Sequence, residues 1–137
     1  MKRLLPRLIL TMLGAFLIAG CGSQPSEQSP IVTVANETAA MTRLRAIAEA
    51  EQSYLAETGK YATLEELMQR GMVGDPSKGK LSGYKFEVVA TAKGFQAVAV
   101  PEEYGVTGKR SFYIDQSNTM RGKDRKGERA SAADPVV

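Results

Sequence analysis

The sequence predicts an α+β fold: a long N-terminal helix packed on a small, three- to four-stranded antiparallel sheet. Over residues 35–57 apolar side chains return every three or four positions, and beyond residue 84 short segments alternate apolar with polar side chains. A single cysteine leaves no internal disulfide, so one hydrophobic core has to hold these elements together.

In the helix, Ala40, Leu44, Ile47, Ala48, Tyr54 and Leu55 share one face, while Thr42, Arg43, Arg45, Glu49 and Gln52 fall largely elsewhere. Asn36 or Thr38 is placed to cap its start, and Gly59 to end it in the left-handed conformation. The many alanines let a sheet approach closely. A second, short helix follows, because Thr63 and Glu66 have capping-box spacing and Leu64, Leu67 and Met68 form an apolar face. Residues 75–83, dense in Gly, Ser, Lys and Pro, read as a loop.

Tyr84, Phe86 and Val88 alternate with Lys85 and Glu87, and Phe95, Ala97 and Ala99 alternate with Gln96, Val98 and Val100. Lys93-Gly94 between them makes a hairpin turn. Pro101 stops the second strand, residues 105–108 carry the chain across, and residues 110–115 form a third strand with Phe112 and Ile114 on one face. A turn over 115–118 leads to a short fourth strand at 119–121. Residues 122–137 hold no aromatic side chain and are expected as a loose basic tail, with Arg121, Lys123, Arg125, Lys126 and Arg129 outnumbering Asp124 and Glu128.

Ahead of the helix, Lys2, Arg3 and Arg7 precede an apolar run over 8–17, and Leu17, Ile18, Ala19 and Gly20 lead directly to Cys21. That is the pattern of a bacterial lipoprotein signal with its lipobox. The Cys21 thiol can form a thioether to diacylglycerol, and cleavage before Cys21 frees an amine for a further acyl chain; two or more chains hold a protein on a bilayer where one binds only marginally. An ordinary secretory signal is the alternative reading. A retained membrane span is a third, but residues 8–20 fall short of the about 20 apolar residues a span needs. Residues 22–30, GSQPSEQSP, read as a flexible tether. The chain thus divides into a signal peptide (1–20), a lipidated cysteine with its tether (21–34), an α+β domain (35–122) and a tail (123–137).

The formal charge of +3 resides in the signal: residues 1–20 hold three of the 18 Lys and Arg and none of the 15 Asp and Glu. A near-neutral remainder gives no argument for a nucleic-acid partner. With no histidine, no tryptophan and no second cysteine, imidazole acid–base catalysis, thiol nucleophiles and the usual zinc ligand sets are absent, and neither a cofactor nor a metal is expected. Glu65 with Glu66, or Asp115 near Arg110, would be the candidates of an enzyme. Adjacent carboxylates in a first helical turn ordinarily complement the helix dipole, and an aspartate ending a strand ordinarily forms a turn. Tyr54, Tyr61, Tyr84, Phe86, Phe95 and Phe112 read as core rather than as a platform for stacked bases.

The strings Ala50-Glu51-Gln52-Ser53-Tyr54 and Thr58-Gly59-Lys60-Tyr61-Ala62-Thr63-Leu64-Glu65-Glu66-Leu67 resemble the place where a type IV pilin or type II secretion pseudopilin helix ends and its Gly-x-Tyr-x-(Ser/Thr)-Leu loop begins. Ser82-Gly83-Tyr84-Lys85-Phe86 and the segment 107–117 resemble strands of the same proteins. The resemblance covers about residues 35–121. It implies a pilin-like head and protein partners in pilus or type II secretion assemblies. The chain departs from that pattern at its start, where a lipobox replaces the prepilin cleavage site and the apolar helix with a glutamate at its fifth position. Without that helix, the burial that holds such filaments together is not expected here. The expected function is therefore that of a non-enzymatic envelope lipoprotein with Cys21 as its lipid-attachment residue. Its partners would be the bilayer and envelope proteins. Gly22, in place of an aspartate retention residue, favours the outer over the inner membrane. A ligand- or protein-binding lipoprotein of the periplasm, unrelated to secretion, is the alternative.

Overall fold

The computed structural model describes residues 29–78 and 83–137. The expected signal, Cys21 and most of the expected tether lie outside the described residues. Six elements follow in order: α1 (Pro30–Thr58), α2 (Leu64–Gln69), β1 (Tyr84–Thr91), β2 (Gly94–Pro101), β3 (Arg110–Asp115) and β4 (Arg121–Asp124). The strands form one antiparallel meander in the order β1-β2-β3-β4. The α+β architecture is as expected from the sequence.

Helix α1 starts at Pro30, so residues 31–34 belong to the helix and not to the tether. Proline suits the first helical position, where its fixed φ is already right and its missing N–H is not needed. Ser29 occupies the cap position without a side-chain capping bond. Neither Asn36 nor Thr38 caps the helix: Asn36 is buried and donates to the Thr107 carbonyl at 3.0 Å, and the Thr38 hydroxyl donates back to Val34 O. Gly59 ends α1 with φ 73°, and the Thr63–Glu66 box closes reciprocally at the start of α2, Thr63 N–H to Glu66 Oε2 at 2.8 Å and Glu66 N–H to Thr63 Oγ1 at 3.2 Å. No described helix is long and apolar enough to cross a membrane.

The register sorts the sheet into two faces. Tyr84, Phe86 and Val88 of β1, Phe95, Ala97 and Ala99 of β2, and Phe112 and Ile114 of β3 point toward α1. There they meet Ala40, Leu44, Ile47, Ala48 and Tyr54 from the helix, with Leu67 of α2 filling the side near β1. Small side chains on both partners, Ala40 and Ala48 of α1 and Ala97 and Ala99 of β2, belong to this one core and leave room for close approach. Gly122 extends this fit to β4, since a Cβ there would lie 2.7 Å from the Phe112 ring. All six aromatic side chains assigned to the core are in it, Tyr61 and Phe86 at its margin.

The C-terminal segment departs from expectation. The fourth strand lies at Arg121–Asp124 rather than 119–121, and the residues after it fold back over the outer face of the sheet. Ala130 packs on Val98 and Tyr113, the Ser111 hydroxyl donates to Glu128 O at 2.6 Å, and Arg129 meets Glu87 at 2.7 Å. Residues 135–137 then run antiparallel along β4, through Gly122 N–H to Pro135 O at 3.0 Å and Val137 N–H to Met120 O at 3.1 Å. Polar and ionic bonds hold this segment, which is why its poverty in large apolar side chains misreads as looseness. Arg121, Arg125, Lys126 and Arg129 are engaged within the fold, so the segment is not the free basic tail that composition implies.

Burial ranks the aromatic anchors. Phe112→Ala empties a fully buried site and should cost about 3–5 kcal/mol in urea unfolding followed by circular dichroism, whereas Phe86→Ala, on the half-buried edge strand, should cost clearly less.

Candidate functional site

Two glutamates sit on the buried stripe of α1. Glu37, Ala40, Leu44, Ile47, Glu51 and Tyr54 follow one another at alternating three- and four-residue steps, and all are buried. A carboxylate in such a stripe needs hydrogen-bond donors from whatever packs against it.

Glu37 finds them where β3 begins. Its Oε1 accepts the backbone N–H groups of Lys109 and Arg110, each at 3.1 Å, and its Oε2 accepts Arg110 Nε at 2.8 Å. Asn36 beside it binds Thr107 O, and the Thr33 hydroxyl reaches Val106 O at 3.4 Å. On the other side the Tyr84 hydroxyl donates to Arg110 O at 2.8 Å, and burial, with Glu37 nearby, raises that phenol above its usual range. Gly108 is required there because a Cβ would overlap the Tyr84 hydroxyl. One turn of helix thereby clamps the whole β2–β3 crossing.

Beside this clamp opens a cleft of about 570 Å³ between the start of α1 and the crossing loop, lined by Pro30, Thr33, Val34, Gly105, Lys109 and Asp124. Its carboxylates are engaged: Glu37 with Arg110, and Asp124 with the Tyr104 hydroxyl at 3.0 Å and Lys126 at 3.6 Å. The Lys126 amide and then the Tyr104 hydroxyl hold the Asp124 carboxyl below its usual range. The arrangement suits contact with an apolar surface, since both its carboxylates are already bonded and Pro30 and Val34 form part of its wall.

Glu51 is fully buried at the α1–α2 junction. Its Oε2 accepts the Ala62 N–H at 2.9 Å while its Oε1 has no partner among the described residues. Desolvation raises its carboxyl above 4.5 despite that bond, and Glu66 adds to the rise. A third buried acid, Asp134, locks the C-terminal segment. It takes a two-pronged contact from Arg125, at 2.5 and 3.0 Å, and the Ser131 N–H at 2.8 Å. Burial alone would raise the Asp134 carboxyl, but Arg125 and Ser131 outweigh it and leave it lowered.

The residues singled out as possible catalysts do not converge. Glu66 serves the capping box, with Thr63 N–H chiefly responsible for its lowered pKa, and Glu65 accepts from Gln69. Asp115 forms the turn after β3, accepting the Ser117 N–H at 2.9 Å and the Tyr113 hydroxyl at 3.0 Å. Burial and that bond push the Tyr113 phenol up to about 12. Arg110 stands at the other end of the strand and turns to Glu37. Among the described residues no group of three or more His, Cys, Asp or Glu could hold a metal ion. Glu37, Glu51 and Asp134 went unnoticed in the sequence, although charges standing in an apolar stripe flag the first two.

Comparison with protein-family models, with curated proteins and with solved structures gave no match.

Two measurements probe these acids. Glu37→Ala leaves two N–H groups and a guanidinium without their acceptor. With Arg110 40% exposed and partly solvated, the expected loss is about 2–3 kcal/mol in urea unfolding, with Glu37→Gln recovering part of it. Glu51 has a folded pKa above its unfolded one, so the stability linked to its proton is full below about pH 4 and falls away as pH rises through the folded value. The difference in unfolding free energy between Glu51→Gln and wild type should therefore move in favour of the variant between pH 4 and pH 8, a pH-independent difference being the contrary result.

Proposed function

We propose that this chain is a lipid-anchored protein of the bacterial envelope, with Cys21 carrying the acyl groups and the α+β head serving as a non-enzymatic, pilin-like docking module. The observation that carries the reading is the position of the lone cysteine, directly after Leu17, Ile18, Ala19 and Gly20 at the end of a short apolar run behind three cations. Only a thiol forms the thioether to diacylglycerol, so a single cysteine at that place has a chemical reason to be there.

The sequence resemblance to pilin and pseudopilin heads supports partners within a pilus or type II secretion assembly. A helix laid on a four-stranded meander is compatible with that resemblance but also with many other proteins. The engaged carboxylates of the cleft and of residues 115 and 66 favour binding over catalysis. Gly22 after the cysteine favours the outer membrane in a cell that has two. A periplasmic ligand-binding lipoprotein is the second reading, favoured by the cleft of about 570 Å³ next to α1.

Metabolic labelling with a clickable palmitate tests the anchor. Label should enter the wild type and be lost in Cys21→Ala, and the variant should leave the membrane fraction; equal incorporation removes the reading. Crosslinking in intact cells then tests the partners, with secretion or pilus components expected among the products.

A further inference from the structure

The exposed side of α1 changes character along its length. At its start Ile31 is 78% exposed and Val34 61%, with Val32 beside them at 39%. From Thr38 onward the same side presents Thr42, Arg45 and Glu49, all exposed and polar. The rise from Pro30 to Val34 is about 6 Å. Segments lying in a membrane interface bury their apolar side by a similar depth, about 5–10 Å. The first charged residue of α1, Glu37, is turned inward to Arg110. Gly105 lines the same cleft as Pro30 and Val34, which places the half-exposed Tyr104 ring at this end of the molecule. Tyrosine is a residue that membrane interfaces favour.

The chain outside the described residues says what this surface meets. Cys21 precedes Pro30 by nine residues, so the chain between them can reach at most about 30 Å. We infer that Ile31, Val32 and Val34, flanked by Tyr104, rest in the headgroup zone of the bilayer and orient the head on it. The inference relies on the lipid-anchor reading above, because acyl chains at Cys21 hold the head within reach of the surface and let a weak contact persist. Three aliphatic side chains fall well short of the about 800 Å² per partner that a stable protein interface buries, which argues against a second copy as the occupant. The charges beside Tyr104 are of both signs, exposed Glu102 and Glu103 with Lys126 on its hydroxyl, so no net positive patch calls for an anionic lipid.

The chain has no tryptophan, so a single indole reports its own surroundings. The acylated protein, purified from membranes with its Cys21 acyl mass verified, is reconstituted into phosphatidylcholine vesicles containing brominated phosphatidylcholine. Ile31→Trp should show blue-shifted emission and severalfold stronger bromine quenching than Glu49→Trp, and adding Val34→Glu should abolish that quenching. Equal quenching at the two positions overturns the inference while verified acylation leaves the anchor reading standing. Quenching that survives Val34→Glu shows the indole itself seeking lipid and also overturns it. A blue shift of Ile31→Trp that grows with protein concentration without vesicles assigns the surface to a second copy, again against the inference. Absence of acyl mass at Cys21 removes both readings together.

Discussion

The buried carboxylate of Glu37 is the interaction on which the arrangement of this fold depends. Strand β3 pairs with β2 only from Phe112 to Asp115, so the backbone N–H groups of Lys109 and Arg110 have no acceptor on β2. Glu37 supplies it, and takes the Arg110 guanidinium as well. With the Tyr84 hydroxyl on Arg110 O, the N–H, the carbonyl and the side chain of one residue are bonded to two different elements, α1 and β1. Hydrophobic packing alone would let α1 slide along a stripe of alanines; directional bonds to the start of β3 fix where it stops. A carboxylate serves this better than a neutral acceptor, because charge-assisted bonds are shorter and stronger and Glu37 takes three of them at once.

The same logic governs the outer face of the sheet. An antiparallel sheet with one covered face and two bare edges is open to pairing with other chains. Here the C-terminal residues protect one side: 135–137 pair along β4, and Ala130 covers Val98 and Tyr113. Asp134 makes this covering possible by gathering Arg125, Ser131 and, through its carbonyl, Arg121 into one bonded group. At the opposite edge the outer side of β1 presents Lys85, Glu87 and Thr91 around an exposed Val89, and the charged pair Lys85 and Glu87 disfavours strand-on-strand association.

Periodicity made the elements legible and bonding decided what periodicity missed. The helix face, the Thr63–Glu66 box, Gly59 and the β3 boundaries are local signals, and each lies where the residues place it. Asn36 and Thr38 look like caps because polar residues favour helix starts, but Asn36 has a tertiary partner in Thr107 O that no local pattern displays. The order of the C-terminal segment escapes local pattern for the same reason, since Asp134 and Arg125 attract only once a turn has brought them together. Glu37 and Glu51 were half-visible: their seven-residue offset from Leu44 puts them in the core, while the identity of their donors depends on the sheet. Tyr113 likewise alternates with the core positions, and only the returning tail buries it.

Pro30 sets how the head relates to anything that precedes it. Its ring clashes with a helical conformation at the preceding residue, and Ser29 accordingly has φ −45° and ψ 136°, outside the helical range. The rigid rod of α1 therefore starts at Pro30 and cannot transmit an orientation from further upstream as a continuous helix would. If Cys21 carries the acyl chains proposed above, the pose of the head on a bilayer rests on the side chains it presents there, and α1 exposes large aliphatic ones only in its first turns.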